Sequence, residues 1–204
     1  MSAEKIQIRM AGPDDAEVVA SILTEVSEGV IEYLLSGMLA GVSPTKILAM
    51  VLSRASGHLD LKNVLLVEVD NKLAALLFSY DAKEQTVSSV MAGFLGSQKI
   101  EEMRPLLEAK AEDALWINTF WVHEDFRGLG LAQLLMRLAE DLARDAGLGH
   151  LALHCWADNL RAKRFYAGQH FECRGKIETA PALKKRHPEA GELWVKSLAA
   201  QKAE

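Results

Sequence analysis

The chain alternates apolar and polar residues over short segments and repeats apolar residues at helical spacing over longer ones. Residues 6–10 alternate and are followed by Gly12, Pro13 and two aspartates, which predicts a strand and then the start of a helix. Apolar runs at 64–69 and 73–80 are separated by Asp-Asn-Lys, the composition of a tight turn between two antiparallel strands.

The pattern is clearest in the second half of the chain. Residues 116–122 are rich in aromatic and β-branched side chains, which predicts a strand that leads into a glycine-containing turn. Apolar residues then recur at helical spacing from Leu131 to Leu142, and Gly147 is placed to end that helix. Further strands are predicted at 150–156, 171–177 and 193–198, with a helix capped by residue 158 or 159 after the first of them.

Two regions are less regular. Residues 28–56 contain helical pieces punctuated by glycines and Pro44, and we interpret them as a helical insertion in a single domain that spans 1–204. The segment 82–114 is left open, because 100–111 fits a helix despite Pro105 whereas 87–95 fits strand and helix equally badly. The order of elements is mixed α/β.

Composition narrows the functional classes. The 204 residues are 50% apolar and 25% charged, which is typical of a globular protein, and the net charge of −5 offers no basic footprint for nucleic acid. We expect the basic run at 184–187 to be a solvated loop. Charges and a proline in residues 30–52 exclude a membrane span, and the N-terminus lacks a secretory signal, so a cytoplasmic protein is expected. Cys155 and Cys173 are predicted to be reduced, buried thiols without a metal.

Residues 127–132 predict an anion site. A helix that begins directly after glycines presents unpaired N–H groups and a positive dipole end, and glycines let an anion approach the backbone. Tight packing alone would also explain such a turn. Gln133 excludes the dinucleotide fingerprint, and the Gly-Lys-Ser/Thr of a Walker loop is absent from the sequence.

The segment from residue 122 to 132 resembles motif A of the GCN5-related N-acetyltransferase (GNAT) family, whose pattern Gln/Arg-x-x-Gly-x-Gly/Ala is met by Arg127, Gly130 and Ala132. A second family segment is matched downstream at Asn159, Ala162, Phe165, Tyr166 and Phe171. His170 departs from it, because the family has glycine there, which puts the local turn in doubt.

The resemblance implies a mixed, mostly antiparallel central sheet flanked by helices, with acetyl-CoA as co-substrate and no metal. The pyrophosphate of coenzyme A would lie on the N–H groups of Arg127, Gly128, Leu129, Gly130, Leu131 and Ala132. The pantetheine arm would run along the strand that carries Phe120 and Val122, beside Asn159 and Phe165. A β-bulge at 120–122 would free an N–H for the thioester oxygen, and Tyr166 would protonate the leaving thiolate.

The resemblance also implies a primary amine as acceptor, either a small molecule or a lysine or N-terminal amine, acetylated directly in a ternary complex. Relatives often carry a carboxylate base where this chain has Asn118, so the base stays open among Glu28, Glu32, His123, Glu124 and His154. Glu28 and Glu32, a helical turn apart, could receive a cationic amine, although a solvated helix face is the favoured interpretation of this pair; Asn118 and His154 are further candidates for substrate binding.

Other interpretations remain open at this point. Asn118 in place of a carboxylate motivates a catalytically silent acyl-CoA sensor, and a packing role for the glycine turn would suit a scaffold. The acidic net charge weakly favours a cationic acceptor. The oligomeric state is undetermined, with a homodimer as one candidate.

Overall fold

The computed structural model describes residues 5–86 and 95–199, and its strands form one seven-stranded sheet. In chain order the strands are β1 (Ile6–Met10), β2 (Val64–Val69), β3 (Lys72–Asp81), β4 (Ala114–Val122), β5 (His150–Trp156), β6 (Glu172–Ile177) and β7 (Gly191–Ser197). Across the sheet they lie in the order β1-β2-β3-β4-β5-β7-β6.

The helices pack on both faces of this sheet. They are α1 (Ala16–Val26), α2 (Val30–Leu35), α3 (Pro44–Leu52), α4 (Ser97–Glu108), α5 (Leu131–Asp145) and α6 (Leu160–Gly168). The helix α4 falls in the segment that the pattern left open and tolerates Pro105 in its last turn; residues 87–94 lie outside the described residues. In the described part of the chain, no helix is long and apolar enough to cross a membrane.

The sheet has one parallel pair among its described ladders, formed by β4 and β5, and every other pair is antiparallel. The mixed, mostly antiparallel sheet that the resemblance implied is therefore confirmed. The predicted turn between β2 and β3 is also present: Asp70 and Asn71 have φ of 49° and 61°, the positive values that a tight two-residue hairpin requires.

Two apolar layers hold the sheet. The layer under α5 includes Leu135 and Met136, and the opposite layer joins α1 and α3 to Phe78. The prediction for the cysteines is half right: Cys155 is a buried free thiol, but Cys173 is a free thiol exposed on the edge strand β6, of which only Ile177 is buried.

The packing of α5 gives a direct test of this core. Leu135 is 0% exposed, whereas Leu142 on the same helix is 36% exposed. Leu135→Ala should lower the free energy of unfolding by about 2–5 kcal/mol, because it leaves a cavity under the sheet. Leu142→Ala makes the same chemical change at the surface and should cost less than about 1 kcal/mol. Urea denaturation of both variants checks the difference, and equal losses would contradict the assignment of the buried face.

Candidate active site

The ladder between β4 and β5 is short. The two strands pair only through residues 114–117 and 150–153. Beyond these residues β4 continues to Val122 alongside β3, and β5 continues to Trp156 alongside β7. The strands therefore part after residue 117, and the edge of β4 that faces the gap lies outside every described ladder. Such an edge offers backbone donors and acceptors to an extended ligand.

Asn118 is a β-bulge at the point where the strands part. Ile117 and Thr119 pair with successive residues of β3, so Asn118 between them is an extra residue. The bulge predicted at 120–122 is therefore misplaced by two positions. Asparagine is a poor strand former, whereas the aromatic and β-branched residues at 120–122 favour the regular pairing that they show.

The side chain of Asn118 is held at both ends. Its Nδ2 donates to Tyr80 Oη at 3.3 Å, and its Oδ1 accepts from Thr119 Oγ1 at 3.1 Å. Burial raises the pKa of Tyr80 to about 12, so this phenol is neutral near pH 7. The amide of Asn118 can orient a polar group in the gap, but it cannot take a proton from one.

A cavity of about 690 Å³ opens at the gap. It is bounded by both strands, by the α1–α2 connection and by the β6–β7 connection. The structure brings six of the predicted site residues to this cavity: Glu28, Asn118, Phe120, His154, Asn159 and Tyr166.

Tyr166 lies on α6 inside an aromatic cluster. Its ring is 6.3 Å from Phe120, 5.7 Å from Phe165 and 5.5 Å from Phe171, measured between centroids. Tyr166 is 9% exposed, and burial raises the pKa of its phenol above the ordinary value. A neutral hydroxyl is therefore held beside the cavity.

Cys155 also lines the cavity, on β5. Burial raises the pKa of this thiol to about 12, and its Sγ donates to the Trp156 carbonyl at 3.5 Å. Only a thiolate is a good nucleophile, so Cys155 is poorly suited to carry an acyl group.

His154 is positioned by bonds inside the protein. Its Nε2 donates to the Ala109 carbonyl at 2.8 Å, and its ring meets the Trp116 ring edge-on at 4.5 Å. Burial lowers the pKa of His154 to about 4, although the Ala109 carbonyl opposes this shift. His154 is therefore a neutral residue near pH 7 and a weak base.

Asn159 begins α6 as its N-cap, accepting from the Ala162 N–H at 3.1 Å. At the other end of α6, His170 has a φ of 66°, the left-handed conformation that glycine favours. The turn that the family pattern assigns to glycine is thus formed with histidine, at a cost of about 1–2 kcal/mol.

The glycine turn before α5 forms a second cavity of about 570 Å³. Gly128 and Gly130 have φ of 85° and 80°, and the first helical hydrogen bond runs from the Leu134 N–H to the Gly130 carbonyl at 3.0 Å. The N–H groups of 131–133 precede that bond and have no partner within the helix. The predicted residues Val122, Phe165 and all of 127–132 line this second cavity.

Three arginines surround the second cavity: Arg127, Arg137 and Arg161. None of them forms an ion pair with a described residue. Only Arg127 was expected from the sequence. Arg137 lies one helical turn after Gln133, which also lines the cavity, and this spacing is the signal that could have placed it there. These residues complete a site that fits a polyanion such as a pyrophosphate.

The expected acidic pair is separated. Glu28 and Glu32 were predicted to share a helix face, but α1 ends at Val26 and the chain reverses at Glu28 and Gly29, with φ of 47° and 108°. Two successive residues with positive φ cannot continue a helix. Glu28 lines the first cavity, and Glu32 is exposed on α2 away from it. His123 and Glu124, the other candidate bases, line neither cavity.

The basic run at 184–187 is not wholly solvated. His187 is only 2% exposed and stacks on Trp156 with centroids 3.8 Å apart. Its Nδ1 lies 3.2 Å from both carboxylate oxygens of Asp158, and its Nε2 lies 3.1 Å from the Glu28 carbonyl oxygen. The Glu28 carboxylate also lies 3.5 Å from Nε2, so hydrogen-bond acceptors face both edges of the ring. His187 thereby ties the α1–α2 and β6–β7 connections to the end of β5.

Comparison with known proteins agrees with this arrangement. The model of the acetyltransferase (GNAT) family matches residues 69–171, half of the chain, and this range contains β4, the glycine turn and Tyr166. The chain is 30% identical to GCN5-related N-acetyltransferase 4, chloroplastic, of Arabidopsis thaliana over 96 aligned residues. These residues cover 46% of this chain and 33% of that protein. The chain is also 43% identical over 51 residues to the uncharacterized N-acetyltransferase YdgE of Bacillus subtilis, covering 25% and 32%. The matched segments thus span about a third of each relative.

Solved structures share the fold over nearly the whole chain. An N-acetyltransferase from Staphylococcus aureus Mu50 has a TM-score of 0.69 at 20% identity, covering 93% of this chain and 99% of that one. The PaiA N-acetyltransferase of Thermoplasma acidophilum, in complex with coenzyme A, has a TM-score of 0.53 at 11% identity, covering 95% and 99%. At these identities the likeness shows a common fold.

The burial of His154 predicts a pH dependence of stability. The folded-state pKa of about 4 lies below the ordinary value of 6.5, so the unfolded chain takes up a proton first as the pH falls. The contribution of neutral His154 is complete above pH 6.5 and is lost as the pH falls toward 4. Relative to His154→Gln, the wild type should lose about 2 kcal/mol between pH 7 and pH 5. Urea denaturation at the two pH values measures this, and parallel losses in both proteins would contradict it.

Proposed function

The chain belongs to the GNAT family of acetyltransferases, and from that premise we propose that it transfers an acetyl group from acetyl-CoA directly to the primary amine of a second substrate. The observation that carries the proposal is the gap between β4 and β5. Along β4, this gap adjoins the glycine turn at residues 127–132, which we call the cradle. Phe120 faces the first cavity and Val122 the second, so a ligand lying along β4 would reach from the cradle to Asn118.

The cradle fits the phosphate end of coenzyme A. The N–H groups of 131–133 and the guanidinium groups of Arg127, Arg137 and Arg161 would hold the pyrophosphate, and the glycines leave the backbone open to it. The pantetheine amides would then pair with the free edge of β4, as an added strand. This arrangement directs the thioester toward the bulge at Asn118.

At the bulge, a backbone N–H outside the ladder would stabilise negative charge on the thioester oxygen as the amine attacks. The nitrogen–carbon bond forms, the carbon–sulfur bond breaks, and Tyr166 would give its proton to the departing sulfur. The raised pKa of Tyr166 keeps that proton in place until the sulfur develops charge in the same dry surroundings. The coenzyme A leaves as a free thiol, and the acceptor leaves as an amide.

The amine must lose a proton as it reacts. Asn118 cannot take it, and His154 is a weak base because its pKa is about 4. Among the described groups that line the cavity, the carboxylates of Glu25 and Glu28 are the remaining acceptors. We therefore assign proton removal to this acidic side, directly or through water.

A catalytically silent acyl-CoA sensor is the second candidate, favoured by Asn118 in the position where relatives often carry a base. Release of coenzyme A from acetyl-CoA, measured against a broad panel of amines, separates the two. Release that requires an amine supports the transferase. Calorimetric binding of acetyl-CoA without release across the panel would favour the sensor instead.

Gly130→Glu should weaken acetyl-CoA binding at least about tenfold, because it places a negative side chain in the cradle. Gly147→Glu is the matched control. Both glycines have positive φ, of 80° and 70°, both have open space around them, and they stand at opposite ends of α5. The two changes therefore carry similar backbone strain, and only the first should alter the calorimetric affinity. Equal affinities in the two variants would contradict the placement of the phosphates.

Tyr166→Phe should lower kcat about a hundredfold and leave the affinity for acetyl-CoA unchanged, since only the proton donor is removed. The aromatic packing with Phe120 and Phe171 is retained by phenylalanine. Steady-state kinetics and calorimetry measure the two quantities, and thermal denaturation confirms folding. An unaltered kcat would remove Tyr166 from the role of acid.

A further inference from the structure

The wall of the first cavity that we assign to the acceptor, here called the acceptor side, carries charges of both signs. Glu25 and Glu28 come from the end of α1 and the chain after it, and Arg186 comes from the β6–β7 connection. We propose that the acceptor is an amine that also bears a carboxylate, as a free amino acid does, and that Arg186 binds this carboxylate. The inference rests on the proposed transferase function and narrows its substrate class.

Arg186 is available for such a contact. Its side chain is exposed, lines the cavity and makes no ion pair or hydrogen bond with a described residue. The neighbouring Lys184 differs, because its Nζ lies 3.4 Å from Glu178. Lys185 is exposed but does not line the cavity. Within this basic run, Arg186 is thus the residue directed at the acceptor site.

The position of Arg186 is fixed by its neighbours in the chain. Leu183 is buried on one side, and His187 on the other side is held by Asp158, the Glu28 carbonyl and the Trp156 ring. Arg186 therefore stands on an anchored segment at the cavity mouth. The anchored backbone holds the base of the side chain beside the cavity, so a ligand has to order only the side chain itself.

The backbone at Gly29 lies beside the guanidinium of Arg186 and the side chain of Leu183. A Cβ at this position would lie 3.7 Å from Nη1 of Arg186 and 3.2 Å from Leu183 Cδ2. The φ of 108° also suits glycine and strains other residues. The guanidinium therefore lies against the backbone that follows Glu28, which brings a cation and a carboxylate to the same part of the wall.

These charges distinguish classes of acceptor. A carboxylate-bearing amine can place its carboxylate on the planar fork of Arg186 while its ammonium faces Glu25 or Glu28. A polyamine or an amino sugar offers Arg186 no carboxylate, and a second ammonium beside it would be repelled. The charges that line the cavity decide this preference rather than the net charge of the chain, because salt screens distant charges.

The test compares each standard amino acid with its own carboxamide, and adds spermidine and glucosamine as amines without a carboxylate. Coenzyme A release from acetyl-CoA gives kcat/KM for each. The carboxamide has the less basic amine, so a preference for the acid cannot arise from a larger fraction of free amine. The wild type should prefer the acid form of its best substrate by about 10–100-fold, the range expected for a charged hydrogen-bonded contact.

Arg186→Gln should remove that preference, mainly by raising KM for the acid 10–100-fold, while KM for acetyl-CoA and kcat/KM for the carboxamide stay unchanged. Lys185→Gln makes the same change of charge on the adjacent exposed residue and should leave all of these values unaltered. Thermal denaturation verifies that both variants are folded. Arg186→Lys should restore part of the preference, because it restores the charge without the planar fork.

The possible failures are distinguishable. No release with any amine would overturn the transferase function, and this inference with it. Release that is indifferent to the carboxylate, or best with spermidine or glucosamine, would overturn the inference alone. An Arg186→Gln variant that resembles Lys185→Gln, or that loses acids and carboxamides equally, would also overturn it, because Arg186 would then have no specific contact with the carboxylate.

Discussion

The site depends on the parting of β4 from β5. If β4 and β5 paired along their whole length, this edge of β4 would be fully hydrogen-bonded. The parallel ladder instead ends after Ile117 and Leu153, next to the β-bulge at Asn118. The parting creates the first cavity and leaves an edge of β4 that pairs with no described strand. Because β4 then leads through residues 123–130 into α5, the same strand also carries the anion site at the helix start. One irregularity in hydrogen bonding thus positions both ends of the site.

Burial divides the site into a neutral centre and a charged margin. Low polarity raises the pKa of Tyr166 and Cys155 and lowers the pKa of His154, so all three are uncharged near pH 7. Charged groups also line both cavities, with three arginines at the second cavity and groups of both signs at the first. Such a centre lacks competing ions, so a hydrogen bond to a developing charge is strong there.

His187 shows how a polar residue can organise a cleft without reacting in it. Its ring is stacked on Trp156 and bonded on both edges, so it joins the acceptor-side connections to β5. The hydrophobic pattern does not predict that His187 is buried, because this residue is the last of a basic run that resembles a solvated loop. A partner 159 residues away along the chain, at Glu28, decides its burial.

Local patterns determined most of the elements and the cradle. Alternation, helical spacing and turn chemistry act over a few residues, so β2, β3, α5 and the glycines before it could be predicted. Two spaced motifs also indicated Tyr166 and Asn159 as candidate site residues. Only the tertiary structure decided that the bulge lies at Asn118, that Glu28 and Glu32 separate, and that Arg137, Arg161 and Arg186 line the two cavities. These features depend on contacts between segments that are distant in the chain and on where one strand stops pairing with another. No short segment of sequence determines the free energies of such contacts.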